Sequence, residues 1–269
     1  MSKTEEGRGK SGERKRKREL LGICFITGTD TGVGKTLLTA LLLAHLRAKG
    51  RRAFALKPLS SGPRTDAALL CKLQDHDPEF DKINPFHFPS PVTPLVAARK
   101  ERRRIPLHKV VEHIAQVCKQ LCHSSYNPNR SDTGQGQESV LLIEGAGGLL
   151  APLGENYSNL DLIHALNASV IVVARNRLGT INHTLLTLAA LASQATGLKR
   201  AHKTTVVLMD PGRTDASSPS NARVLSELYP RVSFTSFPYL GAKAKSTSRL
   251  QAAAKKYSRL LEQIWRSVL

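Results

Sequence analysis

Lys35, Thr36, Lys57 and Glu144 each stand where an apolar run gives way to small or polar residues, and together they could handle a phosphate. The first two end the stretch LGICFITGTDTGVGKT, residues 21–36, in which an apolar run meets a small-residue turn that opens a helix. Such a turn curls successive backbone N–H groups around anionic oxygens, and the helix N-terminus adds its positive dipole end. Lys35 would neutralise the terminal phosphates while the Thr36 hydroxyl holds Mg²⁺. Counted back from Gly34, Thr29 stands where such loops usually begin with glycine, and Gly28 comes one place early. Glu144 ends another apolar run, where a bare carboxylate is costly without a cation. Magnesium, held by one or two carboxylates, water and phosphate oxygens, is the natural partner, and Thr36 and Asp66 could supply further ligands. Two lysines just beyond strand ends suggest neutralisation of charge on a transferring phosphoryl group. Lys57 alone would read equally well as a solvated strand terminus.

These residues need a scaffold that brings strand ends to one edge. Strands are expected at 20–27, 52–56, 139–143, 169–174, 204–209 and about 232–237. Helices are expected at 35–49, from about 66, near 94–101, 106–122, 159–166, 181–195 and 219–228, with one long helix at 248–267. Each strand is a continuous β-branched or leucine run, and the alternation with helices calls for an α/β fold. The expected fold is a P-loop NTPase-type parallel sheet covered by helices on both faces, in a single domain over 20–269. Ligands of such sheets bind at the carboxyl ends of the strands. The Ser60-Ser61-Gly62-Pro63 segment reads as a turn, and five prolines between 78 and 94 read as irregular chain. Residues 123–138, rich in Ser, Asn, Gln and Gly, read as a surface insertion.

A chain of 269 residues with 41% hydrophobic content can fill one sizeable core. No stretch approaches the roughly 20 apolar residues of a membrane span, and the polar opening segment 1–19 has no secretory pattern. Four scattered cysteines show no zinc-type pairing and read as reduced thiols, which places the chain in the cytoplasm. The net charge of +19 draws partly on the block Arg14-Lys15-Arg16-Lys17-Arg18. That block could attract nucleic acid without sequence preference. Without interleaved aromatic residues to stack on bases it reads as a disordered, solvated basic tail.

In order, FITGTDTGVGKT, ALKPLSSG, TDAALL, LLIEGAGGLLAPL and VVARNRLGTINHTLLTLAAL resemble the dethiobiotin synthetase family, from about Ile23 to Leu240. The resemblance implies an ATP- and Mg²⁺-dependent cyclo-ligase of biotin synthesis acting on 7,8-diaminononanoate and CO₂. Gly32, Val33, Gly34, Lys35, Thr36 and Leu37 would cradle the triphosphate. Thr31 would join Lys35 and Lys57 as catalytic residues, and Thr36, Asp66 and Glu144 would form the metal site. Gly145, Ala146, Gly147 and Gly148 would lie along the nucleotide, and Pro238, Tyr239 and Leu240 would contact its base. Ser61 would contact substrate. The turn formed by Gly179, Thr180, Ile181 and Asn182 would receive the substrate carboxylate from a neighbouring subunit, which implies a homodimer. A helix N-terminus suits that role.

The sequence departs from the family at three contacts, one of them the acidic residue that usually follows the Pro238-Tyr239-Leu240 stretch and is absent here. Many relatives carry glutamate where this chain has Gly32, and Met209-Asp210 stand where an asparagine usually reads the adenine edge. A methionine cannot donate and accept as that amide does, so base choice stays open. Another class shares the fold and loop type: partition-type ATPases that bind DNA non-specifically. Their signature lysine near the start of the loop is replaced here by Asp30. A non-catalytic domain is disfavoured by the joint presence of Lys35, Thr36, Lys57, Asp66 and Glu144.

Overall fold

The computed structural model describes residues 20–123, 139–193, 203–241, 244 and 246–269. The expected basic tail and the 124–138 part of the expected insertion lie outside the described residues. The first half of the chain runs β1 (Leu20–Gly28), α1 (Lys35–Ala48), β2 (Arg52–Leu56), β3 (Leu59–Ser61), α2 (Thr65–Leu73), α3 (Phe80–Ile83), β4 (Phe86–Phe88), α4 (Pro94–Lys100) and α5 (Leu107–His123). The second half runs β5 (Ser139–Glu144), β6 (Pro152–Gly154), β7 (Tyr157–Ser158), α6 (Asn159–Leu166), β8 (Ser169–Arg175), α7 (Thr180–Ser193), β9 (Thr204–Met209), α8 (Ser218–Leu228), β10 (Ser233–Phe237), α9 (Thr247–Lys256) and α10 (Ser258–Arg266).

Six strands form one parallel sheet in the order β10-β9-β8-β1-β5-β2, with helices on both faces. Every residue of β5 is buried, as is most of β8, which is why these strands read as unbroken apolar runs. Leu38, Leu41, Leu42, Leu43 and Leu46 of α1 are wholly buried, each contributing about 1.5–3 kcal/mol of apolar burial. That burial clamps the start of α1, and so the loop before it, onto the sheet. β1 sits between β5 and β8, so the loop after it opens where neighbouring strands diverge.

Three expectations are corrected. Residues 59–61 are not a plain turn but a short strand pairing in parallel with Phe86–Phe88. The proline-rich stretch is likewise not irregular throughout, since its prolines flank α3 and β4 instead of interrupting them. The long C-terminal helix is two helices that meet at Tyr257, whose ring packs against Phe237 with centroids 5.5 Å apart.

Candidate active site

The loop after β1 takes its shape from close approaches that only glycine permits. A Cβ on Gly28 would lie 2.7 Å from Val33 Cγ2 and 3.2 Å from the Val173 carbonyl. The early glycine is therefore the one this loop needs, and Thr29 fits because its own N–H donates to Val173 O at 3.0 Å. Gly34, at φ 110°, precedes α1 and turns the chain into the helix. Arg175, at the end of β8, donates to the Gly32 carbonyl at 2.9 Å.

Behind this loop Lys57, one of the expected catalytic residues, meets the expected metal-binding residues. Thr36 Oγ1 donates to Glu144 Oε1 at 2.7 Å, and the Lys57 ammonium donates to the same oxygen. Asp66 Oδ2 lies 3.6 Å from Lys57 Nζ. Burial alone would lower the Lys57 pKa, but the carboxylates of Glu144 and Asp66 outweigh it and hold the ammonium above its ordinary range. Lys35 Nζ donates to the Asp30 carbonyl at 2.8 Å. Burial, reinforced by Lys57 and opposed by Glu144, pushes Lys35 down to about 8.

Glu144 is 1% exposed, and its Oε2 has no hydrogen-bond partner among the described residues. A buried carboxylate oxygen left over beside a threonine hydroxyl and a second carboxylate suits a hard cation with oxygen ligands. The donor set therefore fits Mg²⁺. Among the described residues no group of three or more His, Cys, Asp or Glu side chains gathers.

Two elements passed over in the sequence hold these groups in place. The Lys57 N–H donates to the Ile83 carbonyl at 3.0 Å, and Asn84 Nδ2 donates to the Lys57 carbonyl at 2.6 Å. Asn84 Oδ1 accepts from Ser60 and Arg64, so α3 and β4 position both Lys57 and the strand bearing Ser61. The Gly145–Gly148 segment is tied to the phosphate loop by Gly145 N to Ile26 O and Leu149 N to Gly28 O, each at 3.0 Å. Asn159 Nδ2 donates to the carbonyls of Ala146 and Gly148, closing that segment from behind. The Ser158-x-x-Asp161 capping box that starts α6 was the available signal for Asn159.

The remaining expected residues lie on the other side of the loop. Thr31, Thr180 and His183 line one small pocket with Thr29, Arg175 and Arg177. Gly179 has φ 90°, and Asp215 Oδ2 accepts from the Leu178 N–H at 2.7 Å, fixing the turn before α7. Ile181 is half-buried and Asn182 exposed on the first turn of α7. Met209 packs against Gly34, the Asp210 N–H donates to the Phe237 carbonyl at 2.9 Å, and the Tyr239 ring lies over Gly212. Pro238 and Leu240 flank that ring in the chain.

Strand, phosphate loop and helix, with Lys35, Thr36 and Glu144 around the loop, define a P-loop nucleotide-binding protein. The family model described as an AAA domain matches residues 23–239. Among solved structures, pNOB8 ParA aligns with a TM-score of 0.52 at 14% identity, covering 92% of this chain and 98% of that one. The ParA structure bound to non-specific DNA aligns with a TM-score of 0.51 at 13% identity, covering 92% and 97%. Both likenesses describe the fold.

Curated relatives are more specific. The ATP-dependent dethiobiotin synthetase BioD of Anaeromyxobacter sp. (strain Fw109-5) is 39% identical over 198 residues, 72% of this chain and 79% of that protein. The enzyme of the same name from Methanocaldococcus jannaschii is 34% identical over 175 residues, 65% and 76% of the two chains. The chain belongs to the dethiobiotin synthetase family of ATP-dependent ligases.

Proposed function

We propose that this chain closes the ureido ring of dethiobiotin from 7,8-diaminononanoate and CO₂, consuming ATP. The observation that carries this reading is the meeting of Lys57, Asp66, Thr36 and Glu144 behind the phosphate loop, where a carbamate and a γ-phosphate could be held together. One amine of the substrate adds CO₂ and loses a proton to give a carbamate. A carbamate oxygen attacks the γ-phosphorus, and ADP leaves. The second amine then attacks the carbamoyl carbon, closing the ring and expelling phosphate with loss of a proton.

Each residue has one task in this scheme. Loop N–H groups and Lys35 bind the phosphates. Lys57 neutralises the carbamate and the transferring phosphoryl oxygens, and Thr31 contacts the donor from the loop. Thr36, Asp66 and Glu144 hold Mg²⁺, which would screen the phosphate charge. Gly145–Gly148 lie along the nucleotide, and Ser61 contacts the diamine.

The turn at Gly179–Asn182 receives the substrate carboxylate across a homodimer interface. Leu178 and Leu186, 80% and 63% exposed, supply apolar surface for that contact. The reaction is placed in the cytoplasm. Mass spectrometry of a reaction with ¹³C-bicarbonate tests the scheme. One ¹³C in a cyclic urea, dependent on ATP and the diamine, is the expected product, and its absence would refute the reading.

A further inference from the structure

Lys57 and Glu144 stand on the β5–β2 side of the phosphate loop, so a donor presenting its terminal phosphate there extends its base toward β9 and β10. The side chains at that end of the sheet are Met209, Asp210 and Tyr239, with Pro238 and Leu240 on either side of Tyr239 in the chain. Met209 is 7% exposed, and its Cγ lies 3.0 Å from where a Cβ on Gly34 would stand. Its carbonyl already accepts from the Asn176 N–H at 2.9 Å. A thioether donates nothing and accepts weakly.

Asp210 can only accept, and one of its oxygens takes Asn176 Nδ2 at 2.7 Å. Asn176 cannot turn outward to read a base in its stead. It is buried, donates to the Ser218 carbonyl at 3.1 Å and accepts from Asn221 at 2.8 Å. The adenine edge, with a donor beside an acceptor, meets no matching pair in these side chains. Tyr239 is of a different kind. The residue is 52% exposed, and its ring lies across Gly212, 3.0 Å from where a Cβ there would stand. An aromatic ring stacks on any base.

We infer that this site holds the triphosphate and stacks the base without selecting its edge, so GTP and CTP serve as phosphoryl donors alongside ATP. The assay rests on the ring-closing reading, while the binding measurement below does not. With diamine, bicarbonate and Mg²⁺ saturating, kcat/KM for ATP, GTP and CTP is expected to agree within about tenfold. Met209→Asn, which restores a donor and an acceptor, is expected to favour ATP over GTP by roughly tenfold. Tyr239→Ala is expected to weaken all three donors by about tenfold, because stacking is blind to base identity.

A wild-type preference for ATP beyond tenfold overturns the inference, as does a Tyr239→Ala loss confined to ATP. If no nucleotide supports diamine-dependent turnover, the ring-closing reading fails by itself. Calorimetric binding of ADP, GDP and CDP then decides the base question. Affinities within tenfold uphold the inference, and a wider spread in favour of ADP overturns it.

Discussion

The Lys57 ammonium donates to Oε1 of Glu144, joining the ends of β2 and β5 inside the protein. Removing one member of a buried pair leaves the other charge uncompensated. Glu144→Gln is therefore expected to lower unfolding free energy by about 3 kcal/mol. Asp66, farther from Lys57 and with its side chain 32% exposed, should cost less than about 1 kcal/mol as Asp66→Asn. Urea denaturation of the two variants checks the order, and equal losses would contradict it.

Lys35 gives a pH prediction with a definite sign. Its folded pKa, about 8, lies below its ordinary value of 10.5, so between those pH values the ammonium loses its proton in the folded chain first. Phosphate oxygens would draw that proton back. Nucleotide binding at pH 9 should take up a proton, and binding at pH 6.5 should not involve Lys35 protonation. Calorimetry in two buffers of different ionisation enthalpy measures the uptake. No difference between the two pH values would count against it.

Gly28 and Gly22 form a matched pair on β1. A Cβ at Gly28 would collide with Val33 and crowd two backbone carbonyls, whereas a Cβ at Gly22 would meet nothing within 4 Å among the described residues. Gly28→Ala is expected to cost about 1–3 kcal/mol and to abolish nucleotide binding. Gly22→Ala should leave both close to wild type. Thermal melts with and without nucleotide separate the two cases.

The sheet strands were legible because parallel strands buried on both faces must be apolar throughout, and β2 and β9 fall at the expected residues. Lys35, Thr36 and Glu144 could be read from local chemistry, since each ends or follows an apolar run. Their supports could not. Asn84 holds Lys57 across 27 positions, and Asp215 holds Leu178 across 37, so no local pattern links either pair. The prolines around α3 and β4 also hid two short elements, because a proline marks a break without saying what lies between breaks. Tyr257 escaped notice because amphipathic spacing runs through the bend.

Asp215 offers a test of the turn before α7. Its carboxylate accepts from the Ser217 hydroxyl, from the Leu178 N–H and from the Ser217 N–H and the Ser218 N–H and hydroxyl, which hold it well below the usual carboxylate range. Asp215→Ala should speed hydrogen exchange at Leu178 and raise KM for the diamine several-fold, leaving KM for ATP unchanged. A parallel rise in both constants would contradict a role confined to the turn. Their contribution to stability should be full above about pH 4 and decline as pH falls further, while the bonds themselves last until the depressed folded pKa is reached, because they favour the ionised form.

The most direct test of ring closure is phosphate release from ATP with Mg²⁺ and bicarbonate, with and without diaminononanoate, in wild type and Lys57→Ala. Wild-type release should require the diamine, and Lys57→Ala should reduce it on the order of 10²-fold or more. Release indifferent to the diamine, or near-normal turnover by Lys57→Ala, would contradict the proposed chemistry.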